Sequence, residues 1–391
     1  MIKQDCYYLQ AKKLYTQDGV LEHGAMIVED GLIQALGTNI KPPAACRQFV
    51  FPDSSIIPGL IDVHIHGAGG FDTMDATPAA MEGIAQYLAQ NGVTSFVAAT
   101  MTAPLDDITA ALHNVKQCMD HPSAGAKLLG AYVEGPYFTE SYRGAHPAEQ
   151  LRAIDLDEIK TLVRENEGAV KILAMAPEKE HGPELIRYLR QKGIFVTIGH
   201  SDASYEQMIQ AADEGASLVT HLYNGMRPLH HRESGVIGAA LCDDRLYTEL
   251  IFDGIHISNA AMQIALRCKG PERAVLISDC MRAGGMPDGK YRLGTEEVVV
   301  KDQIARTANG SLAGSTLRLL NAVIRVRDTF GIPFETALES ASLTPARLLG
   351  IDHITGSIAP GKTADIAVMD EDGTVSFTMA DGRIVHNTRP I

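Results

Sequence analysis

The 391-residue sequence lacks several features that would each define a class of protein. No apolar run approaches the ~18 residues that a helix needs to cross a bilayer. The opening segment, MIKQDCYYLQAKK, has no apolar stretch typical of a secretory signal. No run of five basic residues occurs, and the formal net charge is −14. We therefore expect a cytoplasmic protein that binds neither nucleic acid nor membrane, although a few well-placed cations suffice for a small anionic substrate.

Paired cysteine motifs are also missing. The sequence has no CxxC pair and no short framework spacing among its six cysteines, which are Cys6, Cys46, Cys118, Cys242, Cys268 and Cys280. This scatter predicts free thiols in a reducing compartment.

Apolar, strand-like runs alternate with amphipathic helical stretches through most of the chain. Eight such runs are present, at residues 57–66, 93–100, 127–135, 170–178, 195–201, 218–225, 249–256 and 274–280. Continuous apolar strands that alternate with helices indicate a parallel sheet covered on both faces. Eight units predict a closed (β/α)8 barrel, which has the α/β fold class.

Both chain ends instead contain short strands and turns, with a hairpin signal at Asp30–Gly31. We predict that residues 1–56 and 357–391 form a small β-sandwich domain, and that residues 57–356 form the barrel catalytic domain. Within the second range, the polar stretch 285–310 predicts a small β insertion, and helices are expected at 314–330 and 334–350.

Residues that bind metals or transfer protons recur where the apolar runs end. They are His64, His66, Glu134, His200, His221 and Asp279. Barrel enzymes place their active sites at these carboxyl ends, and histidines two apart in a strand point to the same side. Nitrogen and carboxylate ligands suit Zn²⁺, with Fe²⁺, Mn²⁺ or Co²⁺ as alternatives, better than Ca²⁺. Taken singly, His200 and His221 could be core histidines, and Asp279 could be a helix N-cap.

The ordered motifs resemble the amidohydrolase superfamily and, within it, the N-acetylglucosamine-6-phosphate deacetylases. The motifs are PGLIDVHIHG, YVEGPYF, GAHP, IGHSDAS, THLYNGM, HRESG, DGIH, SDCM, LAGST, TPAR and GSIAPGKTADIAV. The last motif marks only the superfamily, whereas YVEGP, THLYNGM and DGIH are specific to the sugar-phosphate deacetylases.

The resemblance implies a barrel with a β-sandwich from both termini, a homodimer and one or two divalent metals per subunit. Glu134, His200 and His221 match the ligands shared by all members, and His64 with His66 matches a second metal position found in some. Asp279 matches the catalytic acid/base, which also contacts metal. The residues that match sugar-phosphate contacts are Ala145, His146, Asn224, Gly225, Arg232, Asp253, Gly254, Ile255, His256, Leu312, Ala313 and Gly314.

The expected reaction is hydrolysis of N-acetylglucosamine 6-phosphate to glucosamine 6-phosphate and acetate, in amino-sugar catabolism. Metal supplies an activated water, Asp279 accepts its proton and returns it to the leaving amine, and Arg232 with His256 binds the phosphate.

Three departures from the family pattern lie around the sugar pocket: Gly225 where many members have Ala, Cys280 where Ala usually follows the aspartate, and Ser234 where REPG has Pro. They leave N-acetylgalactosamine-6-phosphate deacetylation open as an alternative. A cyclic-amide hydrolase is a weaker one, because Glu134 occupies the position of the metal-bridging lysine that many of those enzymes carry. An inactive scaffold is disfavoured because all six site positions are kept.

Overall fold

A computed structural model describes residues 6–44 and 46–389. The strands are β1 Cys6–Thr16, β2 Gly19–Glu22, β3 Ala25–Glu29, β4 Leu32–Gly37, β5 Arg47–Pro58, β6 Leu60–Ile65, β7 Gly67–Ala68, β8 Phe71–Asp72, β9 Val93–Ala99, β10 Lys127–Glu134, β11 Val170–Met175, β12 Phe195–Ile198, β13 Ala216–Val219, β14 Tyr247–Leu250, β15 Ala274–Leu276, β16 Gly289–Leu293, β17 Glu296–Lys301, β18 Ile304–Thr307, β19 Ile366–Met369, β20 Val375–Ala380 and β21 Arg383–Asn387.

The helices are α1 Pro78–Gln90, α2 Leu105–Met119, α3 Leu156–Glu165, α4 Gly182–Gln191, α5 Tyr205–Glu214, α6 Gly235–Cys242, α7 Asn259–Arg273, α8 Leu319–Phe330, α9 Phe334–Glu339 and α10 Leu343–Leu348. None of these described helices is both long and apolar enough to cross a bilayer.

Eight parallel strands form the barrel in the order β6, β9, β10, β11, β12, β13, β14 and β15. The first and last strands meet through the Asp279 N–H to the His64 carbonyl and the His66 N–H to the Cys280 carbonyl, both at 2.9 Å. Every residue of β6 and β9 is buried, because a barrel strand is covered by side chains inside and by helices outside. The predicted barrel is confirmed. Six of the eight apolar runs contain one of its strands, and the runs at 218–225 and 249–256 overlap the ends of β13 and β14, which begin two residues earlier.

Both termini contribute to a separate eight-stranded sheet. It contains β1–β5 and β19–β21, with β1 and β5 parallel and the other pairs antiparallel. Its core includes the buried side chains of Leu9, Phe51 and Phe377. The predicted fold class is thus confirmed. The chain passes from this sheet to the barrel at Gly59, between β5 and β6, while the domain boundaries at 56/57 and 356/357 stay a prediction.

Two of the six cysteines form a disulfide, so the expectation of free thiols is wrong for Cys6 and Cys46. The register of β1 against β5 places Tyr7 opposite Arg47. The two preceding cysteines are therefore neighbours, with a Cα–Cα distance of 4.5 Å. Sequence spacing could not reveal this pair, because the pairing of two strands 40 residues apart creates it.

The segment after the barrel strands differs from the predicted helices. The first helix begins at Leu319 rather than 314, because Ser315 pairs with the backbone of Asp279 and Met281. The second is broken between α9 and α10, where the carbonyls of Ser340 and Ala341 accept N–H groups of barrel strands. The predicted β insertion is the antiparallel sheet β16–β18.

Candidate active site

Three side chains from the ends of β10, β12 and β13 converge at the carboxyl end of the barrel. Glu134 Oε1 lies 3.3 Å from His200 Nε2 and 3.2 Å from His221 Nε2. The other ring nitrogens are held by backbone carbonyls, His200 Nδ1 at 2.9 Å from Tyr142 O and His221 Nδ1 at 3.2 Å from Asn224 O. All three side chains are buried. Both rings therefore direct Nε2 towards the same carboxylate oxygen.

A second group lies beside the first and uses the other oxygen of Glu134. His66 Nε2 is 3.0 Å from Glu134 Oε2 and 3.2 Å from Asp279 Oδ1. His64 Nε2 lies 3.6 and 3.7 Å from the same two oxygens. The carboxylate of Glu134 thus stands between the two groups.

The geometry of these groups fits metal binding. Ligand atoms of His64, His66 and Asp279 lie within 4.8 Å of one another, as do those of Glu134, His200 and His221. Two ligands about 2.0–2.1 Å from one tetrahedral ion lie ~3.3 Å apart, which matches the separations between Glu134 and its two histidines. His64 Nε2, buried in the barrel, has no hydrogen-bond partner among the described residues. Each group can therefore hold one divalent metal.

The backbone at these positions is strained. His200, His221 and Asp279 have φ values of 50°, 24° and 47°, a region that non-glycine residues rarely adopt. Each lies two or three residues beyond the end of a barrel strand, in the turn that brings its side chain to the cluster. Strain of this kind concentrates at functional sites, where the surrounding fold imposes it.

Burial is the largest single influence on the pKa of His66, of Glu134 and of Asp279, but the contacts between rings and carboxylates together outweigh it. Burial alone would lower the pKa of His66, but Asp279 and Glu134 raise it to about 9. Burial would raise the pKa of Glu134, yet the facing histidines, His64 foremost, hold it well below its usual range. Burial would also raise the pKa of Asp279, and His66 and His64 lower it instead. Both carboxylates are therefore ionised at neutral pH.

His146 differs from His66 in the direction of its pKa shift, which it shares with His200. Its Nδ1 lies 2.8 Å from Thr102 Oγ1, and its Nε2 lies 3.7 Å from Glu134 Oε2. Burial, and then the neighbouring His200, lower the pKa of His146 to about 4. The ring is neutral at pH 7 and can donate one hydrogen bond to a substrate carbonyl.

A cavity of about 270 Å³ opens over the cluster. Most of the predicted site residues line it, namely His66, Glu134, Ala145, His146, His200, His221, Asn224, Gly225, His256, Asp279, Leu312 and Gly314. Gly225 has φ 60°, and a Cβ there would lie 2.7 Å from His200 Nδ1. Glycine thus leaves this histidine ring undisturbed.

The remaining predicted residues lie outside the cavity lining. His64 is buried beneath it, and Ala313 packs with Met281 behind it. Asp253 lies 2.7 Å from His256 Nδ1 and accepts the backbone N–H groups of Ile255 and His256. Within the Asp253–His256 segment, the imidazole of His256 therefore lines the cavity, and Asp253 holds the segment in shape behind it.

Arg232 is exposed on a loop, with Nη1 2.8 Å from His231 Nε2. It does not line this cavity.

Other lining residues were missed by the sequence reasoning. Met101 follows β9, Ile251 follows β14, and Leu293 ends β16 of the insertion. They are apolar residues without a chemical signature, although the position of Met101 and Ile251 just after barrel strands could have indicated them. A larger cavity of about 1090 Å³ is lined by residues of α1 and of the end of α2, together with Lys127 and Arg383. None of the predicted site residues lines that cavity, so size does not identify the site here.

Comparison with known proteins agrees with this fold and site. A family model described as "Amidohydrolase family" matches residues 55–385. The chain therefore belongs to the amidohydrolase family, and the predictions of that family and of a hydrolase are confirmed.

Two curated relatives are sugar-phosphate deacetylases. The chain is 42% identical over 380 residues to the N-acetylgalactosamine-6-phosphate deacetylase of Escherichia coli O157:H7, covering 97% of this chain and 99% of that protein. It is 45% identical over 330 residues to the N-acetylglucosamine-6-phosphate deacetylase of Vibrio furnissii, covering 84% and 82% of the two chains.

A solved structure shares the whole architecture. It is a mutant of the N-acetyl-D-glucosamine-6-phosphate deacetylase from Mycobacterium smegmatis in complex with N-acetyl-D-glucosamine-6-phosphate. The two chains are 31% identical and superpose with a TM-score of 0.91 over 98% of this chain and 100% of that one.

Proposed function

We propose that this protein hydrolyses the acetamide of N-acetylglucosamine 6-phosphate to glucosamine 6-phosphate and acetate. The observation that carries the proposal is the convergence of four histidines and two carboxylates, in two metal-competent groups, beneath a cavity of small-molecule size. Relatives that act on phosphorylated N-acetyl amino sugars support the substrate class.

The side chains can perform the proton transfers that amide hydrolysis requires. A divalent metal held by Glu134, His200 and His221 would lower the pKa of a water molecule at this site to about 7. Asp279, whose ionised form is favoured, accepts the proton of that water as the acetyl carbon is attacked. His146 donates a hydrogen bond to the carbonyl oxygen, where negative charge develops. Asp279 then returns its proton to the leaving amine.

The rest of the cavity binds the sugar phosphate in this proposal. His256, held by Asp253, faces the cavity beside Asn224 and Gly225. Leu312 and Gly314, in the segment after β18, also line the cavity. Binding energy from the phosphate, remote from the reacting amide, can orient the acetamide over Asp279.

The galacto epimer is the second candidate. The relative named for N-acetylgalactosamine 6-phosphate matches nearly the full length of both chains. The epimers differ only in the orientation of the C4 hydroxyl, so the same metal groups and the same Asp279 serve either substrate.

Several finer features belong to this proposal. Zn²⁺ is the preferred metal, with Fe²⁺, Mn²⁺ or Co²⁺ as alternatives, because the donors are imidazole nitrogens and carboxylate oxygens. The protein is a cytoplasmic homodimer. Arg232, exposed and outside its own cavity, binds the phosphate of a substrate in the neighbouring subunit.

Metal analysis combined with acetate release from both 6-phosphates tests the function. We expect one or two divalent cations per subunit and a higher kcat/KM for the gluco epimer; the reverse order would favour the second candidate. Asp279→Asn should lower kcat by about 10²- to 10⁴-fold. The proposed chemistry would be contradicted if the purified protein bound no divalent metal and Asp279→Asn released acetate at the wild-type rate.

A further inference from the structure

A buried carboxylate outside the predicted site contacts both metal-competent groups. Glu249 lies on β14, is fully buried, and places Oε2 at 3.0 Å from His64 Nδ1. The same oxygen accepts the backbone N–H of His221 at 3.1 Å and the hydroxyl of Tyr132 at 3.5 Å. Its second oxygen, Oε1, has no hydrogen-bond partner within the described part of the chain. A carboxylate in such a place is costly unless it is compensated.

The contact with His64 determines what that ring can do. Because Oε2 accepts from Nδ1, the proton of a neutral ring stays on Nδ1 and the lone pair stays on Nε2. That Nε2 faces Glu134 and Asp279. The ring also stacks on Tyr132, with centroids 4.2 Å apart and planes at 28°. Glu249 and Tyr132 thus hold His64 in the one tautomer and orientation that can ligate a metal there.

The contact with His221 links the second group. The amide of His221 belongs to a residue with φ 24°, a strained conformation. Its hydrogen bond to Glu249 helps to hold the turn that presents the imidazole to Glu134. One carboxylate therefore supports a ligand in each group.

We propose that Glu249 is a positioning residue that makes the group of His64, His66 and Asp279 competent to bind a metal. The inference rests on the proposed metal-dependent function and adds a residue to it. Carboxylates that hold ligating histidines typically change metal affinity by about 10- to 100-fold when they are removed. Glu249 does not touch the substrate cavity, so its effect on the reaction passes through His64.

Cation binding to the full-length protein tests this inference. Titration with Zn²⁺ and Co²⁺ against a chromophoric chelator would be compared for wild type, Glu249→Gln and His64→Asn. We expect His64→Asn to abolish the binding of one cation. Glu249→Gln should lower the affinity for that same cation by about 10-fold or more and should alter the Co²⁺ absorption spectrum. Gln keeps an acceptor oxygen for the His221 amide, so the fold should survive; circular dichroism checks this. The same oxygen can still accept from His64 Nδ1, but without a charge. Glu249→Ala removes the acceptor altogether and should therefore weaken cation binding further.

Asp365→Asn provides a matched control. Asp365 is also buried, but it accepts the hydroxyl of Thr355 and the backbone N–H of Asp381 rather than a group of any candidate metal ligand. Its loss of charge should change cation affinity by less than about threefold. A double-mutant cycle adds specificity: in the His64→Asn background, Glu249→Gln should have little further effect.

Each outcome separates the inference from the function on which it rests. The role of Glu249 would be overturned, while acetate release continued, if wild type and Glu249→Gln bound cations with equal affinity. It would also be overturned if Glu249→Gln caused the same loss of cation affinity in the His64→Asn background as in wild type. The same holds if wild type binds a single equivalent that His64→Asn leaves unchanged. Wild type that bound no cation and released no acetate would defeat the proposed function itself.

Discussion

The charge state of His146 determines whether it acts as a neutral hydrogen-bond donor or as a group that titrates near neutral pH. The pKa of about 4 means that the ring is neutral above pH ~5, and a nearby metal cation would lower that pKa further. His146→Gln should reduce kcat by roughly 10- to 100-fold, as expected for a lost donor to the carbonyl oxygen. Because the wild-type ring does not titrate between pH 6 and 8, the ratio of the two rates should stay constant over that range.

Rate measurements across that pH range decide the point. If His146 titrated near its ordinary pKa, the ratio of the wild-type rate to the His146→Gln rate would change as the pH passed through about 6.5, because a charged imidazole is a stronger donor than a neutral one. That result would show that His146 is not held neutral.

At the scale of a single element, α5 offers a separable test of stability. Its N-cap, Ser204, accepts the N–H of Gln207 at 3.3 Å, and Gln207 Oε1 accepts the N–H of Ser204 at 2.8 Å. Ser204→Ala should lower the free energy of unfolding by about 1 kcal/mol, and Ser204→Thr should lose much less. Urea denaturation followed by circular dichroism measures both.

The same substitution should leave the reaction unchanged. The loop between His200 and α5 is held separately by Glu178, whose oxygens accept the hydroxyl of Ser201 and the N–H of Asp202, each at 2.7 Å. A kcat for Ser204→Ala within about twofold of wild type is therefore expected. A large loss of activity would show that the helix cap, rather than Glu178, positions His200.

Elements with a strong periodic signal were predictable, and those that depend on distant pairing were not. The barrel strands lie in largely apolar runs, and the candidate metal ligands lie at or just after the strand ends, so both followed from local sequence. The break between α9 and α10 arises because carbonyls of Ser340 and Ala341 serve barrel strands. The role of Glu249 was not predictable either, since a single acidic residue inside an apolar strand does not indicate which side chain it contacts, here the ring of His64.

For the whole molecule, metal binding should contribute to stability. A ligand that binds only the folded state stabilises it by about 4 kcal/mol at a thousand-fold excess over its Kd. For a chain of this length, that gain raises Tm by about 5 °C. Zn²⁺ or Co²⁺ added to chelator-treated protein should produce such a shift, and Ca²⁺ should not, because nitrogen ligands suit it poorly. Coincident melting curves would contradict a metal held by these groups.

Arg232 raises a question about the assembly, because it is exposed and lies outside the cavity of its own subunit. Loss of a charged hydrogen bond to phosphate costs roughly 1.5–3 kcal/mol. Arg232→Ala should therefore raise KM for the 6-phosphate by about 10- to 100-fold, while hydrolysis of the unphosphorylated N-acetyl sugar stays at its wild-type rate. This comparison establishes the contact but not which subunit provides it.

Mixed dimers identify the subunit. In a dimer of one Arg232→Ala chain and one Asp279→Asn chain, phosphate binding across the interface gives one site with both residues intact. Random pairing then restores about a quarter of wild-type activity, because half of the dimers carry one such site of two. If Arg232 acted in its own subunit, every site would lack either Asp279 or Arg232, and mixing would restore nothing. Activity measured before and after subunit exchange, with sedimentation to verify the dimer, thus tests both the assembly and the origin of the phosphate contact.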